Sequence, residues 1–170
     1  VTHNVKACTD TGCSSNCVGL TNDSKPITIS SLNHEVTYRA CVQAVDTAGN
    51  TSDYINSNNT VTTLQAAPNE ITNLTATANS SSSITLSWNS GGGSTAGFYV
   101  SQRTGATAPS DCSSDRIATI GSSNTTQHPV TGLDPDTQYS FRVCSRNSNP
   151  TPDVSIGLST SMNTDHCSGL

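Results

Sequence analysis

From Gln138 to Cys144, polar and apolar positions alternate strictly. Tyr139, Phe141 and Val143 fall on one face, and Ser140, Arg142 and Cys144 on the other. A period of two predicts a half-buried β-strand, entered through the turn Asp134-Pro135-Asp136. The same design occurs earlier, where Tyr38, Ala40, Val42 and Ala44 alternate as far as Asp46. In both copies a leucine, Leu32 or Leu133, precedes the tyrosine by six residues. This internal repeat divides the chain into two domains, expected at residues 1–64 and 71–165, with a short boundary at 65–70 and a tail at 166–170.

In the first segment, Val1 to Thr9 alternates as a strand with Val5 and Ala7 facing inward, and a cysteine-rich loop, Cys8 to Cys17, follows it. Pro26 to Ser30 is expected as a second strand through Ile27 and Ile29, Glu35 to Asp46 as the third, and Tyr54 to Thr63 as a weakly patterned last one. No stretch places apolar residues at helical spacing over ten or more positions, so the expectation is an all-β chain. Within the short boundary Gln65 to Glu70, Pro68 ends the preceding strand and the next begins at once, which predicts two domains joined with little freedom.

Composition narrows the picture. Only 32% of the 170 residues are hydrophobic and 4% aromatic, so any core is thin. The polar remainder is Ser, Thr, Asn and Gly, which suits turns and exposed strand faces. A net charge of −5, with the seven Lys and Arg scattered, counts against nucleic acid or an anionic membrane as partner. No apolar run is long enough to span a membrane. No basic region leads into an apolar one at the start, so any secretion signal is expected to lie upstream or to have been removed. Seven cysteines in so polar a chain read as disulfides in an oxidising compartment, hence a secreted or cell-surface location.

The motif running from Leu32 through Tyr38 and the alternating residues to Val45-Asp46-Thr47-Ala48-Gly49-Asn50 resembles strands E to G of a fibronectin type III domain. Such a domain is a seven-stranded, immunoglobulin-like sandwich, and Tyr38 and Tyr139 hold its tyrosine-corner position. The second segment resembles the whole domain. Ile71 to Ala76 looks like strand A and Ser83 to Trp88 like B, with Trp88 as core aromatic; Gly97 to Arg103 looks like C and Arg116 to Ile120 like C′. Gln127 to Thr131 looks like E, Gln138 to Asn147 like F, and Val154 to Asn163 like G. The first segment supplies C, a poor C′, E, F and G but lacks A and B. Either residues outside this sequence complete it, which is the plainer reading, or a strand from another chain does.

The resemblance extends to the disulfide-bearing bacterial members of the family and implies that Cys112 bonds Cys144. Aligning Asn4 with Tyr99 places Cys17 opposite Cys112, which by analogy pairs Cys17 with Cys41 and Cys8 with Cys13. The alternative is Cys8 with Cys41, on neighbouring strands, and Cys13 with Cys17; four cysteines allow three connectivities, and the sequence does not choose. Cys167 is left over, as a thiol for another domain, another chain, or nothing. Zinc on Cys8, Cys13 and Cys17 with His3 is disfavoured, because the spacings are not the paired x2 of structural sites.

No catalytic constellation emerges, and no cofactor or metal is expected. Asp10-Thr11-Gly12 has the letters of an aspartic protease signature but no second copy and no apolar strand leading into it. His3, His34, His128 and His166 show no ligand spacing, and no serine lies in Gly-x-Ser-x-Gly. Asp134 with Asp136, or Asp46 with Asp53, offers too few oxygens for calcium. The F–G turns, Asp46 to Asp53 and Asn147 to Asp153, are the expected recognition loops, and sequons stand at Asn50, Asn73 and Asn124. The reading is a non-enzymatic extracellular spacer, adhesion or interaction module of a secreted or cell-surface protein, filament or fibre. Its partner, a protein or glycan, is not identified. The alternatives are accessory domains of a secreted hydrolase and a self-assembling subunit completed by strand exchange.

Overall fold

The computed structural model describes residues 1–22 and 25–166. Its regular elements are all strands: β1 (Thr2–Cys8), β2 (Val18–Asn22), β3 (Thr37–Val45), β4 (Ile55–Thr62), β5 (Thr72–Ser80), β6 (Ser83–Asn89), β7 (Gly97–Thr104), β8 (Arg116–Ile120), β9 (Gln127–Thr131), β10 (Gln138–Arg146) and β11 (Leu158–Asn163). The chain is all-β, as the alternation predicts. It forms two units, Val1–Leu64 and Gln65–Leu170.

Unit 2 is a two-layer sandwich. One sheet has the order β11-β10-β7-β8 and the other β5-β6-β9, all pairs antiparallel. Period-2 patterning builds the interior. Ile84, Leu86 and Trp88 line the inward face of β6, and they meet Phe98 and Val100 of β7 and Tyr139, Phe141 and Val143 of β10. Ile71, Val130 and Leu133 close the ends. Trp88 stands edge-on to Phe98, ring centroids 5.3 Å apart, a favourable aromatic geometry.

Unit 1 has one sheet among its described residues, β2-β1-β3-β4, also antiparallel. This is the order of β8-β7-β10-β11. The register agrees too: Val5 lies opposite Val42 as Val100 lies opposite Val143. The strand expected at Pro26–Ser30 is absent, and the one beside β1 is Val18–Asn22 instead. The alternation at 27–30 is present, with Ile27 and Ile29 half-buried and Thr28 and Ser30 exposed. In unit 2 the corresponding strand, β9, exists because it pairs with β6. Unit 1 has no counterpart of β6 among the described residues, and an apolar alternation without a ladder partner does not make a strand.

A second departure concerns β10, expected to be half-buried. Ser140 and Cys144, on the face away from the sandwich interior, are fully buried along with Phe141 and Val143. The segment between β7 and β8 folds over that face. Ser140 Oγ donates to the Gly105 carbonyl at 2.5 Å, and Arg142 Nε donates to the Pro109 carbonyl at 2.6 Å. The Cys112–Cys144 bond staples the same loop down.

Candidate interaction surfaces

The tyrosine corner is built identically in the two units. The Asn33 amide donates to Tyr38 Oη at 3.1 Å, and the Asp134 amide to Tyr139 Oη at 3.0 Å. Both tyrosines are buried, and Leu133 is buried while Leu32 is half-buried. A threonine completes each corner. Thr63 Oγ1 donates to the Asn33 carbonyl and Thr164 Oγ1 to the Asp134 carbonyl, both at 2.6 Å. The same hydroxyls accept from the amides of Val36 and Thr137, each at 3.0 Å. Sequence reasoning missed this pair, although Thr63 and Thr164 stand as far apart as Tyr38 and Tyr139. The repeat itself carried the signal.

The cysteines of unit 1 pair as Cys8–Cys17 and Cys13–Cys41, the third of the three possible connectivities and neither of the two weighed above. Register is the cause. Ala7 lies opposite Val18 across the β1–β2 hairpin, so Cys8 and Cys17 face each other at its mouth, with Cα atoms 4.2 Å apart. The residues between them then carry Cys13 over the outer face of β3 to Cys41. Cys8, Cys13 and Cys41 are buried together, with Cys17 and Tyr54 against them. Cys144 aligns in register with Gln43 rather than with Cys41, so the two units staple their covering loops at different positions. Cys167 lies outside the described residues.

Cys8, Asp10 and Cys17 bring their ligand atoms within 4.8 Å of one another. Both sulfurs are spent in the disulfide, so they offer no thiolates. The Asp10 carboxylate accepts from the Ser15 amide at 2.9 Å and the Ser14 hydroxyl at 2.8 Å. Those bonds lower its pKa to about 2. Asp10 thus holds a polar turn together through Ser14 and Ser15. Asp111 does the same in unit 2, where the Ser113 hydroxyl and the Ser114 amide hold its carboxyl well below the usual carboxylate range. His128 is half-buried in β9, and burial lowers its pKa.

The expected recognition loops are engaged internally. In unit 1, Asp46 caps its own turn, accepting from the amides of Ala48 and Asn50 at 2.9 and 2.8 Å. In unit 2, the side chains of Asn147 and Asn149, both buried, donate to Asp153 and to the carbonyls of Ala66 and Gln65 respectively. Gln65 Oε1 accepts from the Ser148 amide at 3.0 Å. Residues 65 and 66, expected within the boundary segment, are thus tied into unit 2. Glu70 adds a second tie, its carboxylate accepting from the amides of Ile156 and Gly157. Gly157 is required here: its φ is +80°, and a Cβ would meet Cys144 Sγ at 2.5 Å.

The other face of unit 1 is open. Val42, Ile55 and Val61 are exposed, Ile55 and Val61 at more than 70%. Ala40, exposed, stands where unit 2 has the fully buried Phe141. Two hollows lie on this face, one of about 410 Å³ lined by His3, Ala40, Val42, Ala44 and Ile55. The second, about 540 Å³, is bounded by Ile27, Ile29, Leu32, Tyr38 and Val61.

A family model described as the fibronectin type III domain matches residues 67–156. Among solved structures, the chain is similar to chicken CNTN1 FN1-FN3 domains at 16% identity, with a TM-score of 0.53, covering 96% of this chain and 54% of that one. The chain thus spans about half the length of that structure. It is also similar to a β-sandwich protein redesigned by computer, at 21% identity and a TM-score of 0.47, covering 58% of this chain and 97% of the other. No curated protein matches the sequence. The match over 67–156 takes in every strand of the sandwich but β11, and the chain belongs to the fibronectin type III family.

Proposed function

We propose that this chain is a non-enzymatic, extracellular spacer and interaction module of a secreted or cell-surface protein, filament or fibre. Domains of this family are typical adhesion and interaction modules of multidomain proteins. The observation that carries the reading is the way the loops are used. Loops that could present a site are instead stapled by Cys13–Cys41 and Cys112–Cys144, or tied to the chain entering unit 2 through Asn147 and Asn149. A structure that spends its loop donors on its own backbone resists local opening, which suits a load-bearing spacer. The three disulfides support an oxidising compartment.

Unit 1 is read as a second frame of the same family. Its sheet order, register and tyrosine corner repeat those of unit 2, and the likeness to consecutive FN domains extends over 96% of the chain. The test is to label intact cells that express the natural protein with an antibody raised against residues 65–166, and to map disulfide peptides from the labelled fraction. Surface labelling with Cys112–Cys144 oxidised is expected. Labelling only after lysis, with reduced thiols, overturns the reading.

A further inference from the structure

The inward row of β7 begins apolar, with Phe98 and Val100, and ends polar, with Gln102 and Thr104. β8 pairs with β7 only from Phe98 to Ser101, so beyond Ser101 the interior opens sideways. Across the opening, His128 and Val130 stand two apart on β9, Val130 in the core. The result is a cleft of about 470 Å³ at the edge of the sandwich, lined by Gln102, Thr104, His128, Val130, Leu133 and Tyr139. Gln102 and His128 are half-buried, and neither side chain makes a hydrogen bond among the described residues. Unit 1 shows the same cleft without them. Ala7 lies opposite Ala40 as Gln102 lies opposite Phe141, and Ile27 precedes Leu32 by five residues as His128 precedes Leu133. Ala7 and Ile27 line the 540 Å³ hollow there. Half-burying an amide and an imidazole without partners costs stability that alanine and isoleucine do not cost. Packing therefore does not account for Gln102 and His128.

We propose that this cleft of unit 2 binds an uncharged sugar ring, with Gln102 and His128 holding neighbouring hydroxyls and Val130, Leu133 and Tyr139 meeting its C–H face. The chemistry of the lining selects that class. Among the described residues no carboxylate, ammonium or guanidinium lines the cleft, so a charged ligand entering it meets no opposite charge. Burial lowers the pKa of His128, which leaves its imidazole uncharged at neutral pH. A glutamine amide and a neutral imidazole each donate and accept, as each hydroxyl of a sugar does. The volume falls within the range of about 300–1,000 Å³ common to small-molecule sites, which likewise combine an apolar wall with a few polar groups. The groups sit on β7 and β9 rather than on the stapled loops, so the site is held rigidly.

This inference deepens the reading of the chain as an interaction module, but its test does not depend on where the protein resides. The oxidised, isotope-labelled full chain is titrated by NMR with cellotriose, maltotriose, xylotriose and chitotriose at millimolar concentration, and with glucuronate as the charged counterpart. At least one of the four neutral sugars is expected to give saturable shifts confined to the amides of Gln102, Thr104, His128, Val130 and Thr131, and glucuronate none. A double variant, Gln102→Ala with His128→Ile, installs the residues of unit 1. It is expected to weaken binding by about tenfold or more, while its urea midpoint stays level or rises. No saturable shift with any of the four sugars overturns the proposal, as do shifts centred elsewhere, equal binding of glucuronate, or undiminished binding by the double variant. A lowered urea midpoint in the double variant also overturns it, because Gln102 and His128 would then serve the fold.

Discussion

Tyr38, Ala40 and Val42 stand in β3 where Tyr139, Phe141 and Val143 stand in β10, and the two strands pair with their neighbours in the same register. Both tyrosines form the same corner, each phenolic oxygen accepting from a backbone amide at distances that agree to within 0.1 Å. Beyond the corner the two strands part. Phe141 and Val143 are completely buried, while Ala40 and Val42 face solvent. The strand frame is therefore specified by hydrogen bonding and turn chemistry, and burial by whatever second layer is laid on it. Unit 1 compensates on its outer face, where two disulfides gather Cys8, Cys13, Cys17 and Cys41 into a small cluster.

The comparison is broken most forcefully through the disulfides. Each long bridge closes a loop of about 30 residues, worth roughly 3.5 kcal/mol by loop entropy. Cys13→Ala with Cys41→Ala is expected to unfold unit 1, read as loss of amide protection in β3. Cys112→Ala with Cys144→Ala is expected to leave unit 2 folded but less stable by about that amount in urea, because its apolar core remains.

Next come the matched valines. Val143→Ala removes two buried methyls and leaves a cavity, at about 2 kcal/mol, whereas Val42→Ala on the open face costs under about 0.5 kcal/mol. Equal effects on urea midpoints would mean that the two faces are equally covered. The corners should behave alike. Tyr38→Phe and Tyr139→Phe each leave a backbone amide without its phenolic acceptor, at about 1 kcal/mol, and a difference larger than that between the units would show that the corner is not one design.

The smallest effect is on pH. The folded Asp10 carboxyl, held at about 2 chiefly by the Ser15 amide and Ser14 hydroxyl, titrates below its unfolded value of 3.8. A depressed carboxylate stabilises above the unfolded pKa, and that contribution is lost as pH falls from about 4 through 2. Exchange at the Ser14 and Ser15 amides is therefore expected to accelerate over that window beyond its intrinsic pH trend, and Asp10→Asn is expected to remove the acceleration.

Much of unit 2 was legible because its strands bury one face against a partner sheet, and alternation reports that directly. Tyr139 was readable for the same reason, Leu133 from its repeated spacing to the tyrosine, and Trp88 from the resemblance to the family. The full burial of Ser140 and Cys144 was not, because it comes from a loop folded over the strand, and alternation within a strand carries no information about a loop. The pattern at Ile27 and Ile29 was read correctly as an alternation and wrongly as a strand, since strands are made by pairs. The disulfides of unit 1 followed the β1–β2 register, which no spacing between cysteines reveals. Thr63 and Thr164 were within reach, at equal distances after the two tyrosines, but a hydroxyl in a polar chain attracts no notice until its bonds are seen.

Hydroxyl-radical footprinting of the oxidised, dilute full chain tests most directly the claim that one strand frame is closed in unit 2 and open in unit 1. Rapid modification of Val42, Ile55 and Val61, with Phe141 and Val143 protected, is the predicted result. Protection of Val42 equal to that of Val143 would contradict it.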